Sequence, residues 1–200
     1  MNVNRVTLAA AGLALAASAF VYPWLPETMP IHFDLAGRAD GFAPRALGAF
    51  LLPVFSLVSY AIARAMRGSN PAVGLVTAFV SCFFLGLQVL VLRAALGDGT
   101  LGNAMWLLCG AMFVALGLVM PRVRRNRWVG VRTPWAMRSP EVWARTQRVG
   151  GAAMLVCGTL VMLSAMGSGP FALALRGAAI LAAAIVPTIY SWWTSRTVSA

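Results

Sequence analysis

The sequence has no lysine, a single histidine (His32) and only five acids among 200 residues. Without lysine it can neither form a Schiff base nor supply the lysine of a phosphate-binding loop. One histidine and five scattered acids leave no recognisable nucleophile–base set, so an enzyme is not expected and no cofactor is implied. The three cysteines, Cys82, Cys109 and Cys157, each lie inside an apolar run. They read as small buried hydrophobes, not as a disulfide framework or a metal cluster. Charge of any kind is scarce. At 60% hydrophobic and 10% charged residues, the composition falls outside that of a soluble globular domain. The fold class that follows is all-α: a polytopic integral membrane protein.

What charge there is has one sign, a formal net charge of +11. A basic stripe is the first mark of a nucleic-acid binder. Here, however, the arginines sit in connectors beside apolar spans, where they act as topology determinants, and no direct nucleic-acid partner is expected. Six spans of about the length needed to cross the hydrocarbon can be read, near 6–22, 46–63, 71–92, 101–120, 150–166 and 171–193. Arg5 followed by an apolar stretch and Ala17-Ser18-Ala19 also fits a cleavable signal peptide, but five further spans favour an uncleaved first helix. Pro53 is a kink tolerated inside span two, and Pro71 suits the first position of span three after a tight turn over 64–70.

Orientation follows from the arginines. With the N-terminus inside, 12 arginines fall on the inner side and four (Arg38, Arg45, Arg93 and Arg176) on the outer. The positive-inside rule therefore predicts N-in/C-in topology, with both termini in the cytoplasm. Polar residues inside the spans are few. Gln88 reads as interhelical glue, and Arg93 and Arg176 lie close enough to span ends to snorkel.

Two connectors stand out. The outer one, LPETMPIHFDLAGRADGF over 25–42, is too polar to cross the membrane and too apolar for a solvated tether. Pro26 and Pro30 stiffen it, and Gly37 and Asp40-Gly41 supply turn chemistry. In an extended segment Ile31, Phe33 and Leu35 share one face, and His32 and Asp34 the other. The apolar face, with Phe42, would pack on helix ends to make an ordered cap, and Asp34 would set the imidazole's tautomer. The plainer reading is a packed loop whose His and Asp bond to backbone. The candidate ligand-facing residues are His32, Asp34, Gly37, Asp40 and Gly41. A zinc site would need two more protein ligands, and the connector offers only acids.

The inner connector, 121–149, holds eight of the 16 arginines, one acid (Glu141) and three tryptophans (Trp128, Trp135 and Trp143). Ser139 fits an N-cap, Pro140 the first helical position and Glu141 a favourable first-turn charge. The helix begun there puts Val142, Trp143, Thr146, Val149 and Gly150 on one side. That suits an amphipathic helix lying in the cytoplasmic interface before span five. It is either a membrane anchor or a docking surface.

At these two stretches the chain resembles the SdpI-type bacterial immunity-protein family. LPETMPIHFDLAGRADGF resembles the pattern between the first two helices of that family's N-terminal domain, and RNRWVGVRTPWAMRSPEVWARTQR the signature before its last two helices. The chain departs from the pattern at Pro44-Arg45, where a Ser-Lys-like pair is expected, and at Gln147, where relatives often carry histidine. The resemblance implies an N-terminal four-helix region (1–120, outer loop 23–45) and an SdpI-like region (121–200). It also implies protection against a secreted toxic peptide outside, and signalling by holding a cytoplasmic repressor at the membrane. Candidate docking residues in the inner connector are Asn126, Gly130, Arg132, Thr133, Trp135, Trp143 and Arg145. Two other readings stay open. One is a small transporter or lipid-handling protein using Gln88, Asn103 and Arg176; the other is a metal-dependent membrane enzyme using His32, Asp34 and Asp40. Membrane lipid is a partner in every case.

Overall fold

The computed structural model describes residues 3–34, 36–65 and 71–198. Six helices in it are long and apolar enough to cross a membrane, so the chain is a six-span membrane protein. In order the elements are α1 (Val3–Val21), a hairpin of β1 (Thr28–Phe33) and β2 (Ala39–Pro44), α2 (Arg45–Ala65), α3 (Pro71–Leu96), α4 (Gly102–Val119), the short α5 (Pro134–Arg138), α6 (Pro140–Ser164) and α7 (Pro170–Val198). The chain divides into two compact units, Met1–Ala65 with Thr77–Leu108, and Met66–Val76 with Cys109–Ala200.

In the first unit α1 and α2 form an antiparallel pair that meets through small residues. Thr7, Ala11, Ala14 and Ser18 are buried on α1, and Ala49, Pro53 and Ser56 on α2. In hydrocarbon, where apolar surface gains nothing by leaving lipid, close approach of this kind is what holds helices together. Gln88 braces the pair from α3. It is fully buried, and its Nε2 donates to Ser18 Oγ (3.0 Å) and to the Ala49 carbonyl (2.9 Å). The role read for it as glue is borne out. Where the hairpin meets the ends of α2 and α3, Leu25, Met29, Ala49, Val91, Leu92 and Leu101 form a buried cluster.

In the second unit α4 and α6 approach backbone to backbone. A Cβ added at Gly117 would lie 2.8 Å from the Gly151 carbonyl oxygen, and one at Gly110 2.6 Å from that of Gly158. The two contacts are seven residues apart on both helices, so one glycine face meets another. α6 and α7 pack as consecutive helices, turned by Gly167 to Gly169.

Three expectations change here. The stretch from Ser139 onward is not a separate interfacial helix, because α6 runs unbroken from Pro140 to Ser164. No helix-breaking residue separates Val149 from span five, and glycines 150 and 151 pack against neighbours that hold them helical. Arg176 does not snorkel. It is 4% exposed and donates to Ser164 Oγ (3.2 Å) and to the carbonyls of Ser164 (2.9 Å) and Gly167 (3.3 Å), closing the C-terminal end of α6. Among the cysteines only Cys157 is buried; Cys109 is half-buried and Cys82 exposed at the helix surface. The tight turn read over 64–70 lies, at 66–70, outside the described residues.

Candidate functional sites: a hairpin and an arginine connector

The stretch read as a loop between the first two spans is a two-stranded antiparallel hairpin. Its register pairs Met29 with Ala43, Pro30 with Phe42, His32 with Gly41 and Phe33 with Ala39, which leaves Ile31 unopposed. This irregularity breaks the strict alternation on which the sequence reading relied. Met29 is therefore the fully buried anchor, packed so closely on α2 that a Cβ at Gly48 would meet its own Cβ at 2.6 Å. Phe33 packs beside the cluster, while Ile31 and Phe42 stay exposed. Leu35 lies outside the described residues.

The hairpin is tied down at both ends. The Arg45 amide donates to the Glu27 carbonyl (2.8 Å), so α2 starts where the strands close. At the turn, Ala39 N–H donates to Gly99 O (3.1 Å) and Leu101 N–H to Gly37 O (2.9 Å), joining the hairpin to the α3–α4 loop. Gly37 has φ +79°, a conformation that suits glycine, and the turn depends on it. Asp34 caps this turn, accepting from the amides of Ala36 (2.8 Å) and Arg38 (2.9 Å).

Asp34 is thus committed to backbone, and the carboxylate that meets His32 is Asp40, with Nδ1 and Oδ1 2.5 Å apart. His32 can sit over Gly41 only because glycine is there; a Cβ at 41 would lie 2.8 Å from His32 Cβ. The imidazole is 74% exposed. The structure therefore brings His32, Asp40 and Gly41 together on an open face, with Asp34 and Gly37 shaping the turn behind them. Among the described residues, no group of three His, Cys, Asp or Glu side chains is placed to hold a metal ion. In the adjoining loop, hydrogen bonds from Thr100 hold the Asp98 carboxyl below the usual carboxylate range.

The arginine connector is folded as firmly. Asn126 closes its first loop: Oδ1 accepts from the amides of Trp128 (2.7 Å) and Val129 (2.8 Å), and Nδ2 donates to the carbonyls of Arg124 (2.8 Å) and Val129 (3.0 Å). Gln147, buried on α6, then grips the chain as a neighbouring strand would. Its Oε1 accepts from Val131 N–H and its Nε2 donates to Val131 O, both at 3.0 Å. Gly130, at φ +110°, passes so near that a Cβ there would lie 2.7 Å from Gln147 Oε1. Thr133 caps α5 through the Ala136 amide (3.1 Å) and bonds Ser191 Oγ on α7 (2.5 Å). Trp143 is 3% exposed, its Nε1 donating to Val123 O at 2.8 Å.

The candidates in this connector thus separate into two sets. Asn126, Gly130, Thr133 and Trp143 hold its shape from beneath, together with Gln147. Arg132, which donates to the Arg127 carbonyl, is exposed, as is Arg145, paired with Glu141 at 2.6 Å; Trp135 is half-buried. Trp128, 65% exposed, stands over a cleft of about 310 Å³ lined by Met120, Val123, Val131 and Met154. The expected N-cap at Ser139 accepts from Val142 N–H at 3.4 Å. Beneath the connector, the buried hydroxyls of Thr146 and Thr194 have no hydrogen-bond partner among the described residues.

Six spans, one hairpin between the first two and one arginine-rich folded connector before the last two define a multi-pass membrane protein with two ordered extramembrane motifs. Residues 122–191 match the SdpI/YfhL protein family, and residues 9–57 match a domain of unknown function, DUF1648. The chain is also 22% identical over 198 residues to Immunity protein SdpI of Bacillus subtilis (strain 168), covering 96% of this chain and 95% of that one. The resemblance carried by the two connectors is therefore borne out, and each family segment contains one of them. No solved structure matches the chain.

Proposed function

We propose that this chain is an immunity protein of the bacterial cytoplasmic membrane, protecting its cell from a secreted toxic peptide without catalysis. The observation that carries the reading is the end-to-end match to Immunity protein SdpI, which leaves neither chain with a large unmatched region. The arginine count sets the hairpin outside and the connector inside. On that orientation the exposed His32–Asp40 pair, with Ile31 and Phe42 beside it, meets the arriving peptide. Gly41 is needed for the pair to form, and Asp34 and Gly37 fix the turn that presents it.

Inside, Arg132 and Trp128 give a cationic and aromatic surface to an acidic cytoplasmic partner of the repressor class. Arg145 and Trp135 border that surface, and Trp143, Thr133, Asn126 and Gly130 fix its shape. Gln88 is used as a brace between helices, which favours a fixed bundle over a transport path lined by it.

The deciding experiment is survival of a sensitive bacterium challenged with the toxic peptide, with this chain expressed or absent. Expression should raise the tolerated dose. His32→Ala and Asp40→Asn should lose that gain while accumulating normally in the membrane. No protection by the intact, membrane-inserted chain against peptides of this class refutes the reading.

A further inference from the structure

We infer that the outward face of the α6–α7 pair holds one anionic phospholipid of the bilayer, an acyl chain in its groove and the phosphate on Arg148. The groove has a volume of about 530 Å³ and is walled only by apolar side chains, among them Ala152, Val156 and Leu160 of α6 and Leu175, Ala178 and Val186 of α7. It runs along α6 from Val149 to Leu160, about 16 Å at the rise of a helix. That is close to the depth of one leaflet, half of a hydrocarbon core about 30 Å thick.

The groove's connector-side end has the chemistry of a headgroup site. Arg148 directly precedes Val149 and lies one helical turn from Ala152, so it stands at the mouth. It is exposed and has no ion pair or hydrogen bond among the described residues. Its neighbours are used by the chain itself: Arg145 pairs with Glu141, and Arg122, Arg125 and Arg132 each donate to a backbone carbonyl. On α7, Tyr190 lies one turn beyond Val186 and packs against Trp193 with ring centroids 5.8 Å apart. Aromatic rings of this kind settle at the headgroup level. Hydrocarbon depth, a free cation and an aromatic pair thus coincide at one leaflet's boundary. A second copy fits less well, because two-fold packing through this face sets Arg148 against Arg148 with no acid between them.

The test is native mass spectrometry of the full chain purified in mild detergent, with phosphatidylglycerol or phosphatidylcholine of matched chain length added. The wild type should retain phosphatidylglycerol preferentially. Arg148→Gln should lower that retention about fivefold, the effect of one cation near an anionic surface, and Arg148→Lys should keep most of it. Ala178→Leu, on an exposed wall of the groove, should reduce retention of both lipids. Elution of each variant as the wild type does in gel filtration reports folding, and if Arg148→Gln fails that check the Ala178→Leu arm decides. Equal retention of the two lipids by the wild type overturns the inference. So does undiminished retention in Ala178→Leu, or a lipid-free dimer that Ala178→Leu disperses.

Discussion

Replacing Gln147 with leucine should release the arginine connector from α6 while leaving the helix packing in place, because the two side chains are of similar size. Gln147 is 1% exposed and makes two 3.0 Å hydrogen bonds to the backbone of Val131. Each is worth about 1 kcal/mol net, and stranding the half-buried Val131 groups adds a desolvation penalty at the low end of its range, so the loss is about 2–3 kcal/mol. The loss should be local, since Asn126 still folds the segment before Val131 and Thr133 still caps α5 after it.

Hydrogen exchange read by mass spectrometry on the peptide containing Val131 is the assay, and exchange there should rise roughly 30-fold or more. Exchange across α4 and the middle of α6 should not change. Gln147→His should fall between, because the nitrogens of an imidazole sit on different edges of the ring and only one can face Val131. Gly130→Ala should loosen the same peptide, since its Cβ would intrude to 2.7 Å from Gln147 Oε1. In the Gln147→Leu background it should add less than it does alone, as coupled neighbours do. A Val131 peptide that stays equally protected in Gln147→Leu would refute this account of the connector.

Further outcomes follow from the same geometry. Single cysteines in a cysteine-free background at Ala39 and Ser139 should respectively label and resist an impermeant thiol reagent added to whole cells; the reverse pattern inverts the orientation. Gly158→Leu should abolish folded protein in the membrane or cost at least about 3 kcal/mol, because backbone stands 2.7 Å from its Cβ position; a thermal melt within a few degrees of wild type would contradict the α4–α6 contact. Arg176→Met should destabilise the α6–α7 turn by about 2–4 kcal/mol through three lost bonds to Ser164 and Gly167, whereas a snorkelling arginine would tolerate the change. Arg132→Ala should lower the tolerated dose in the survival assay with membrane abundance near normal, and an equal fall in abundance would make it a structural residue.

How far the sequence could be read depended on how local each signal was. Spans are written in composition, and all six emerge, because a helix in hydrocarbon satisfies its own backbone whatever its neighbours do. The one large boundary error is at α6, which starts at Pro140 and not near Gly150. The hairpin was hidden for the opposite reason. Its strands are six residues long, contain Pro30 and Pro44, and lose alternation at Ile31, so the period that marks a strand never builds up. What stabilises it is non-local: Gly48 beneath Met29, and the Gly99–Leu101 loop along its turn.

The same distinction explains the two residues whose roles changed. Arg176 lies near a span end and looks free to reach water, but the carbonyls it closes belong to the last residue of the preceding helix and to the turn after it, 12 and 9 residues back. Asp34 is the carboxylate nearest His32 in sequence, yet a carboxylate two and four residues before unpaired amides is drawn into the turn first. Asp40 then reaches the imidazole from the opposite strand, across a gap that glycine at 41 keeps open. The pairing is a property of the register, and the register is set by a bulge that the apolar pattern does not mark. Gln147 obeys the same rule. Its position was visible as a departure from a family pattern, but its partner, 16 residues earlier, could be found only once Gly130 had brought the backbone within reach of an amide.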